Sequence, residues 1–244
     1  MHEHFVDGEV FCDDFLDNRI NKCLLSESKL IIADCPYGIL KDKWDQNITA
    51  DLYIQWAKKC QEYLTEGGSL YMFGGIGKPK HRIFFNFLSR VEDETDLTLR
   101  NLITWKKRRG YGKSDDYLFV REEIAWLIKG NKPLIFNKPY LKEERKTNAF
   151  SSLNTKYPPK SKQYRRTNVW TDITELMANL VHPAQKPERL MEVMIETHTN
   201  EGDTVLDPFA GSGATALACR KLNRSFVLIE KDEESYRLIC DRLK

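Results

Sequence analysis

Asp34-Cys35-Pro36-Tyr37 combines a carboxylate, a stiffened turn and an aromatic ring directly after the apolar run Leu30-Ile31-Ile32-Ala33. That run reads as a buried strand, and the carboxyl ends of strands are where open α/β sheets place their ligands. The residue types suit alkylation of an aryl amine, a poor nucleophile because its lone pair is delocalised into the ring. The Asp34 carboxylate and the main-chain carbonyl of Cys35 can accept both amino hydrogens and draw the nitrogen toward sp³ character. Pro36 stiffens the turn, and Tyr37 offers a ring on which an extruded base can stack. Alone, such a tetrapeptide is also a common turn sequence. Its meaning depends on what accompanies it.

A second group supplies that company. Asp207-Pro208-Phe209-Ala210-Gly211-Ser212-Gly213 follows the short apolar strand Thr204-Val205-Leu206 and opens a segment of helix formers, Ala214 to Leu222. Gly211 and Gly213 permit a tight turn and close ligand approach, and Ala216 is small enough for the helix to pack on a sheet. Glu230 ends the next strand, Ser225 to Ile229, where an acidic side chain can accept hydrogen bonds from both ribose hydroxyls. A dinucleotide-binding fold would show the same pieces. A carboxylate at the strand end, however, repels a pyrophosphate and attracts the ammonium of an amino-acid moiety. Asp207 therefore favours S-adenosylmethionine over NAD.

The elements that must position these groups alternate along the chain. Arg189 to His198 has helical apolar spacing, and Glu233 to Leu243 reads as a final helix. In the N-terminal half, Asp51 to Leu64 reads as an amphipathic helix stopped by Gly67-Gly68. Ser69 to Phe73, Leu99 to Trp105 and Glu122 to Ile128 read as strands, with a helix over His81 to Ser89. Alternating strands and helices imply parallel pairing and an α/β fold. From Asn131 to about Leu180 the pattern dissolves into Lys, Pro, Asn, Tyr and Ser, and a run that long inside a domain is functional or disordered.

Composition narrows the classes further. The 244 residues suit one sizeable domain, and 41% hydrophobic with 30% charged residues reads as globular rather than disordered. There is no stretch of eighteen apolar residues, which argues against a membrane span, and Met1 to Glu9 lacks the layout of a secretion signal. Cys12, Cys23, Cys35, Cys60, Cys219 and Cys240 form no CxxC pair, which fits free thiols in a reducing cytoplasm, and the sequence shows no metal-ligand cluster. The net charge of +2 hides an asymmetry: Arg100 to Arg166 carries 18 Lys or Arg against 6 Asp or Glu, about +12, leaving about −10 elsewhere. A basic stretch on an acidic body suits a polyanionic partner bound by one lobe.

In this order, Asp-Cys-Pro-Tyr, a basic middle, His182-Pro183-Ala184-Gln185-Lys186-Pro187 and then Asp-Pro-Phe-Ala-Gly-Ser-Gly, the chain resembles the β-group amino-methyltransferases of bacterial DNA. The resemblance covers nearly the whole chain. It implies an α/β, Rossmann-like S-adenosylmethionine-dependent methyltransferase fold: a mixed, mostly parallel seven-stranded sheet flanked by helices, with permuted motif order. It also implies a single domain over 1–244, with a target-recognition region inserted at about 131–180. Val10 to Asp14 looks like the family's opening strand, with Asp14 near the adenosyl group. Trp44-Asp45 looks like the pair that follows the catalytic tetrapeptide, and Val169 to Ile173 is also typical. By that similarity Lys186 contacts the methionine carboxylate, Glu230 the ribose, and Phe209 lines the adenine pocket, with Gly211, Ser212 and Gly213 forming the cofactor turn. The family usually has Pro where this chain has Cys35. Amino methylation needs no covalent adduct, so Cys35 reads as a small buried residue rather than a nucleophile.

The basic middle then becomes the expected DNA-binding surface. Lys106, Lys107, Arg108, Arg109 and Lys113 form a glycine-bearing loop after a strand, suited to phosphates. Lys160, Lys162, Arg165 and Arg166 lie where the family keeps its target-recognition region, and Arg165 or Arg166 could read guanine. The expected activity is methyl transfer to the N6 amino group of adenine in double-stranded DNA by base flipping, in the bacterial cytoplasm or nucleoid. A homodimer and a separate cognate restriction endonuclease are the expected partners. Aspartate at the head of the tetrapeptide leans toward adenine within the family. Cytosine N4 methylation stays open, as do an inactive DNA-binding homologue and a nicotinamide-dependent oxidoreductase.

Overall fold

Leu30, Ile31, Ile32 and Ala33 are all fully buried, as a strand covered on both faces must be. They belong to β3 (Ser28–Ala33), at the centre of a nine-stranded sheet in a computed structural model of the protein. The structure describes residues 1–17, 27–38, 45–75, 82–112, 114–144, 162–174, 180 and 185–244. Its strands are β1 (His2–Phe5), β2 (Gly8–Cys12), β3, β4 (Leu64–Gly74), β5 (Leu97–Tyr111), β6 (Phe119–Lys129), β7 (Tyr140–Glu144), β8 (Gln163–Arg165), β9 (Val169–Trp170), β10 (Thr204–Asp207) and β11 (Ser225–Glu230). The large sheet runs β1-β2-β11-β10-β3-β4-β6-β5-β9, while β7 and β8 form a separate two-stranded sheet. The expected seven-stranded, mostly parallel core is present from β2 to β5, and β1 and β9 add a short strand at each edge.

The helices are α1 (Ala50–Tyr63), α2 (Arg82–Leu88), α3 (Val91–Glu94), α4 (Glu188–His198), α5 (Ala214–Lys221) and α6 (Glu233–Leu243). Because side chains alternate across a strand, β3 feeds two separate cores. Leu30 and Ile32 join Val205, Leu228, Met194, Ala218 and Ile239 beneath α4, α5 and α6. Ile31 and Ala33 join Leu206, Ile229, Tyr53, Trp56, Phe84 and Phe87 beneath α1 and α2. The crossover α1 between β3 and β4 thus lies on one face, and the crossover α5 between β10 and β11 on the other. Strand order reverses between β3 and β10, which pair in parallel. This is the switch point at which doubly wound sheets open a crevice.

Thr49 caps α1 by accepting the Leu52 amide at 3.1 Å. The glycines expected to stop that helix do something else. The chain leaves α1 at Tyr63 directly into β4, and Gly67 lies within that strand at φ 75°. A Cβ there would fall 2.9 Å from the Leu134 nitrogen, and the Gly67 carbonyl accepts the Leu134 amide at 2.7 Å. Gly67 is a docking point for the start of the 131–180 segment.

That segment is less formless than its composition suggests. Asn137 binds the end of α4 through the Thr197, Glu196 and Thr199 carbonyls, and β9 extends the sheet beside β5. Buried His198 ties the same stem to β4: Nδ1 lies 2.9 Å from the Ile135 carbonyl, and Nε2 lies 2.9 Å from the Tyr71 hydroxyl. A ring donating to the carbonyl and accepting from the phenol is neutral.

Burial lowers the pKa of His198 from 6.5 to about 4, against a smaller opposing pull from the Ile135 carbonyl. The unfolded chain therefore binds the extra proton between those values, and stability rises with pH through that window. Acidification from pH 7 to pH 4 is expected to remove about 3 kcal/mol through this residue. Urea unfolding across that range checks it: a His198→Gln variant should lose about that much less on acidification than the unaltered chain.

Candidate active site

Four neighbouring parallel strands end on one edge of the sheet, and each carries an acid there. In spatial order β2, β11, β10 and β3 lead into Asp14, Glu230, Asp207 and Asp34. All four line a single cavity of about 490 Å³, within the range of small-molecule sites. The two sequence-predicted strand tips at Asp34 and Asp207 thus face one crevice.

The glycine turn shapes one wall. Asp207 is 3% exposed; its carboxylate accepts the Phe209 amide at 3.0 Å and the Thr215 hydroxyl at 2.5 Å. Gly211 and Gly213 both adopt positive φ, 51° and 77°. The Gly211 amide donates to Glu230 at 2.7 Å, and the Asp232 amide reaches the other Glu230 oxygen at 2.8 Å. Gly211 and Ser212 line the cavity, whereas Gly213 caps α5 and does not. Burial raises Asp207 to about 7, opposed by its two hydrogen bonds and reinforced by Asp34 and Glu230. Burial also raises Glu230. Asp14 accepts the Leu16 amide at 3.0 Å and pairs with Lys231 at 2.7 Å.

The other end of the cavity is apolar. Phe209 meets Trp56 edge-on at 5.0 Å and Phe15 at 6.0 Å, with Ile48 and Leu52 beside them. Phe209 was expected here. Trp56 and Phe15 were not, because one reads as part of a helix face and the other as a residue after a strand end.

Around the tetrapeptide the charges pair closely. Asp34 accepts the Tyr37 hydroxyl at 2.9 Å and the Lys186 ammonium at 2.7 and 2.9 Å. Glu122 of β6 lies 3.2 Å from the same hydroxyl and 3.5 Å from Lys186, and it forms an ion pair with Lys107. Burial raises Asp34 above its ordinary value although Lys186 opposes this, while Lys186 itself is raised because Asp34 and Glu122 outweigh its burial. Lys186, expected on a cofactor carboxylate, lines the cavity together with Asp34, and in this structure its partners are the two acids. The turn itself is pinned. The Tyr53 hydroxyl sits 3.2 Å from the Pro36 carbonyl and 3.1 Å from the Phe73 carbonyl, and Asp45 accepts the Gly38 amide at 2.7 Å. Pro36 lines the cavity. Cys35 is buried with its thiol 3.6 Å from the Ala33 carbonyl, and burial raises its pKa well above that of a free thiol. A reactive thiolate is thereby disfavoured.

The basic residues divide. Lys106 to Arg109 do not form a loop; they continue β5 into a register shift between Lys106 and Tyr111, as one side of its hairpin with β6. Lys106, Arg108 and Arg109 are exposed there. Lys107 instead faces inward, paired with Glu122 and 5.4 Å above the Trp105 ring. Arg166 departs from the base-reading expectation: its side chain is 3% exposed, it grips Asp172 through two bonds of 2.6 and 2.7 Å, and it covers Trp170. Arg165 and Lys162 are exposed, with Arg165 over Phe136 at 5.9 Å. Lys113, Lys160, Trp44 and His182 lie outside the described residues.

A family model described as DNA methylase, of the N6/N4 type, matches residues 28–241. The chain belongs to this DNA methylase family. It is 31% identical to the type II methyltransferase M.HpaI of Haemophilus parainfluenzae, over 88% of this chain and 67% of the relative. It is 29% identical to the DNA adenine methyltransferase YhdJ of Escherichia coli K12, over 88% and 75%. The fold matches the M1.HpyAVI–SAM complex (TM-score 0.66, 24% identity, 96% of this chain and 99% of that one). It also matches the cytosine-N4-specific PvuII methyltransferase (TM-score 0.71, 20% identity, 97% and 86%). This DNA methylase is therefore an amino-methyltransferase of the N6-adenine or N4-cytosine type, with S-adenosyl-L-methionine as its cofactor. Among its described residues no helix is long and apolar enough to cross a membrane.

Thr215 is fully buried, and its hydroxyl bond opposes the upward shift of Asp207. Thr215→Val is expected to raise the pKa of Asp207 above 7. It should cost about 1–2 kcal/mol at pH 8, where the ionised acid loses a partner, and less at pH 5, where the acid is protonated in both proteins. Chemical denaturation at the two pH values checks the difference.

Proposed function

We propose that this DNA methylase transfers a methyl group from S-adenosyl-L-methionine to the N6 amino group of adenine flipped out of double-stranded DNA. The observation that carries this reading is the Asp34 carboxylate lining the same cavity as Asp207 and the glycine turn. Aspartate at the head of the tetrapeptide favours adenine, and the adenine methyltransferase among the relatives supports it. The cytosine-specific fold relative keeps N4 methylation as the second reading.

The cavity residues fit the cofactor. Phe15, Trp56 and Phe209 would hold the adenine ring, Glu230 the ribose, and Asp207 the ammonium, with Asp14 near the adenosyl group. When bound, the cofactor supplies the electrophilic methyl. Asp34 and the Cys35 carbonyl would then accept the two amino hydrogens of the target, directing the nitrogen lone pair out of the ring plane, while Tyr37 stacks on the base. As the carbon–nitrogen bond forms and the sulfur–carbon bond breaks, the nitrogen becomes cationic. It then loses a proton readily at neutral pH, so no strong base is required. Segment 131–180 is the target-recognition region in this reading, with Lys106, Arg108, Arg109, Lys162 and Arg165 as phosphate or base contacts. The type II methyltransferases among the relatives support a restriction–modification setting, and a separate cognate endonuclease is part of this proposal.

Asp34→Ala is expected to bind cofactor normally and to lose methyl transfer by at least a thousandfold, on the order of 4 kcal/mol of transition-state stabilisation. Unchanged turnover would refute the assignment. Mass spectrometry of nucleosides from DNA methylated by the unaltered enzyme should find N6-methyladenine; N4-methylcytosine alone selects the second reading.

With Asp207 titrating at about 7, binding a cationic ammonium requires the ionised acid. Cofactor affinity should therefore fall about tenfold per pH unit below 7 and level off above it. Calorimetric titration between pH 5.5 and 7.5 tests this, and a flat profile would remove Asp207 from the ammonium site.

A further inference from the structure

In this arrangement Asp34 has too little accepting capacity left to take both hydrogens of a substrate amine. Its two oxygens already receive the Tyr37 hydroxyl and both contacts of the Lys186 ammonium. Lys186 is nearly buried, its side chain 9% exposed, so a departing ammonium would find little water. Among the described residues Glu122 is an alternative acceptor within reach of both donors. Glu122 Oε2 lies 3.2 Å from the Tyr37 oxygen and 3.5 Å from Lys186 Nζ. Tyr37 has a single hydroxyl proton, so it serves one acid at a time.

We propose that Glu122 is a positioning residue: the acceptor to which Lys186 and the Tyr37 hydroxyl turn when the target amino group takes their place on Asp34. This rests on the catalytic role proposed for Asp34.

Several features suit Glu122 to that task. It is opposite Trp105 in the β5–β6 register, so the sheet fixes its position, and Lys107 over the Trp105 ring anchors its other oxygen. Burial pushes the acid upward, but Lys186 and Lys107 outweigh it and hold Glu122 below the usual carboxylate range. It is therefore an ionised acceptor, whereas its neighbour Asp34 is raised. The groups facing Asp34 are Tyr37 on its own turn, Lys186 before α4, Glu122 on β6 and Asp207 at the tip of β10. Of the two further acids, only Glu122 shares partners with it.

Glu122→Gln removes the charge and keeps the size. We expect unchanged cofactor affinity, kcat at saturating DNA reduced at least tenfold, and the acidic limb of the kcat/KM profile moved to lower pH. The limb moves because Asp34 is freed of a like charge while keeping Lys186. A packing defect alone would lower the rate without moving the limb, so an unmoved limb in this variant overturns the proposal, as does an unchanged kcat. Should the glutamine variant fail to bind cofactor, Glu122→Asp decides. The shorter acid keeps the charge but reaches Tyr37 and Lys186 less well, so kcat falls with the limb in place; unchanged kcat overturns the proposal. Active Asp34→Ala would instead sink the catalytic assignment itself. Inactive Asp34→Ala together with a fully active Glu122→Gln would sink only the role of Glu122.

Discussion

Five carboxylates crowd one end of this sheet, and a recessed site cannot hold them all ionised unless each finds compensation. The structure answers for each acid differently. Asp34 has Lys186, Glu122 has Lys107 and a share of Lys186, Asp14 has Lys231, and Glu230 has two backbone amides. Asp207 receives only a hydroxyl and one amide, and among the described residues no cation pairs with it. Burial raises its pKa to about 7. Among the described residues Asp207 and Glu230 are thus the two acids of this group without a cation, and both face the cavity.

The crowding follows from topology. Parallel strands point the same way, so four of them side by side bring their carboxyl ends to one edge, and the reversal of strand order between β3 and β10 parts the flanking crossovers. Helices α1 and α5 leave on opposite faces, and the space between their starts becomes the cavity. Its apolar end is built from the α1 face through Trp56 and from the glycine turn through Phe209. The same two elements therefore make the core and the pocket.

Positive charge shows the reverse economy. Much of the basic middle is exposed, but some of its residues are taken up internally. Lys107 neutralises Glu122, and Arg166 locks Asp172 against Trp170. Lys106, Arg108, Arg109, Lys162 and Arg165 are among the exposed cations of this region. The stem of the 131–180 segment is likewise committed, through Gly67, Asn137 and His198, to the body of the sheet.

The strand and helix positions, the two acid-bearing strand tips and the glycine turn were legible in the sequence because they rest on local rules: side-chain periodicity, the conformational freedom of glycine and the resemblance of ordered motifs. Helix boundaries at α1, α4 and α6 agree with their spacing to within a residue. What escaped were pairings between residues distant in the chain. Glu122 read only as the start of a strand, Lys107 as one cation in a run, and Gly67 as a helix stop. Charge and spacing along the chain say nothing about which face of β6 meets the tetrapeptide, or that the 131–144 stem crosses β4. Periodicity determined the elements, and only the packing of β3, β6 and the Lys186 segment decided which charges neutralise one another. The physical reason is that ion pairing depends on distance through space, across 152 residues of chain in the case of Lys186 and Asp34.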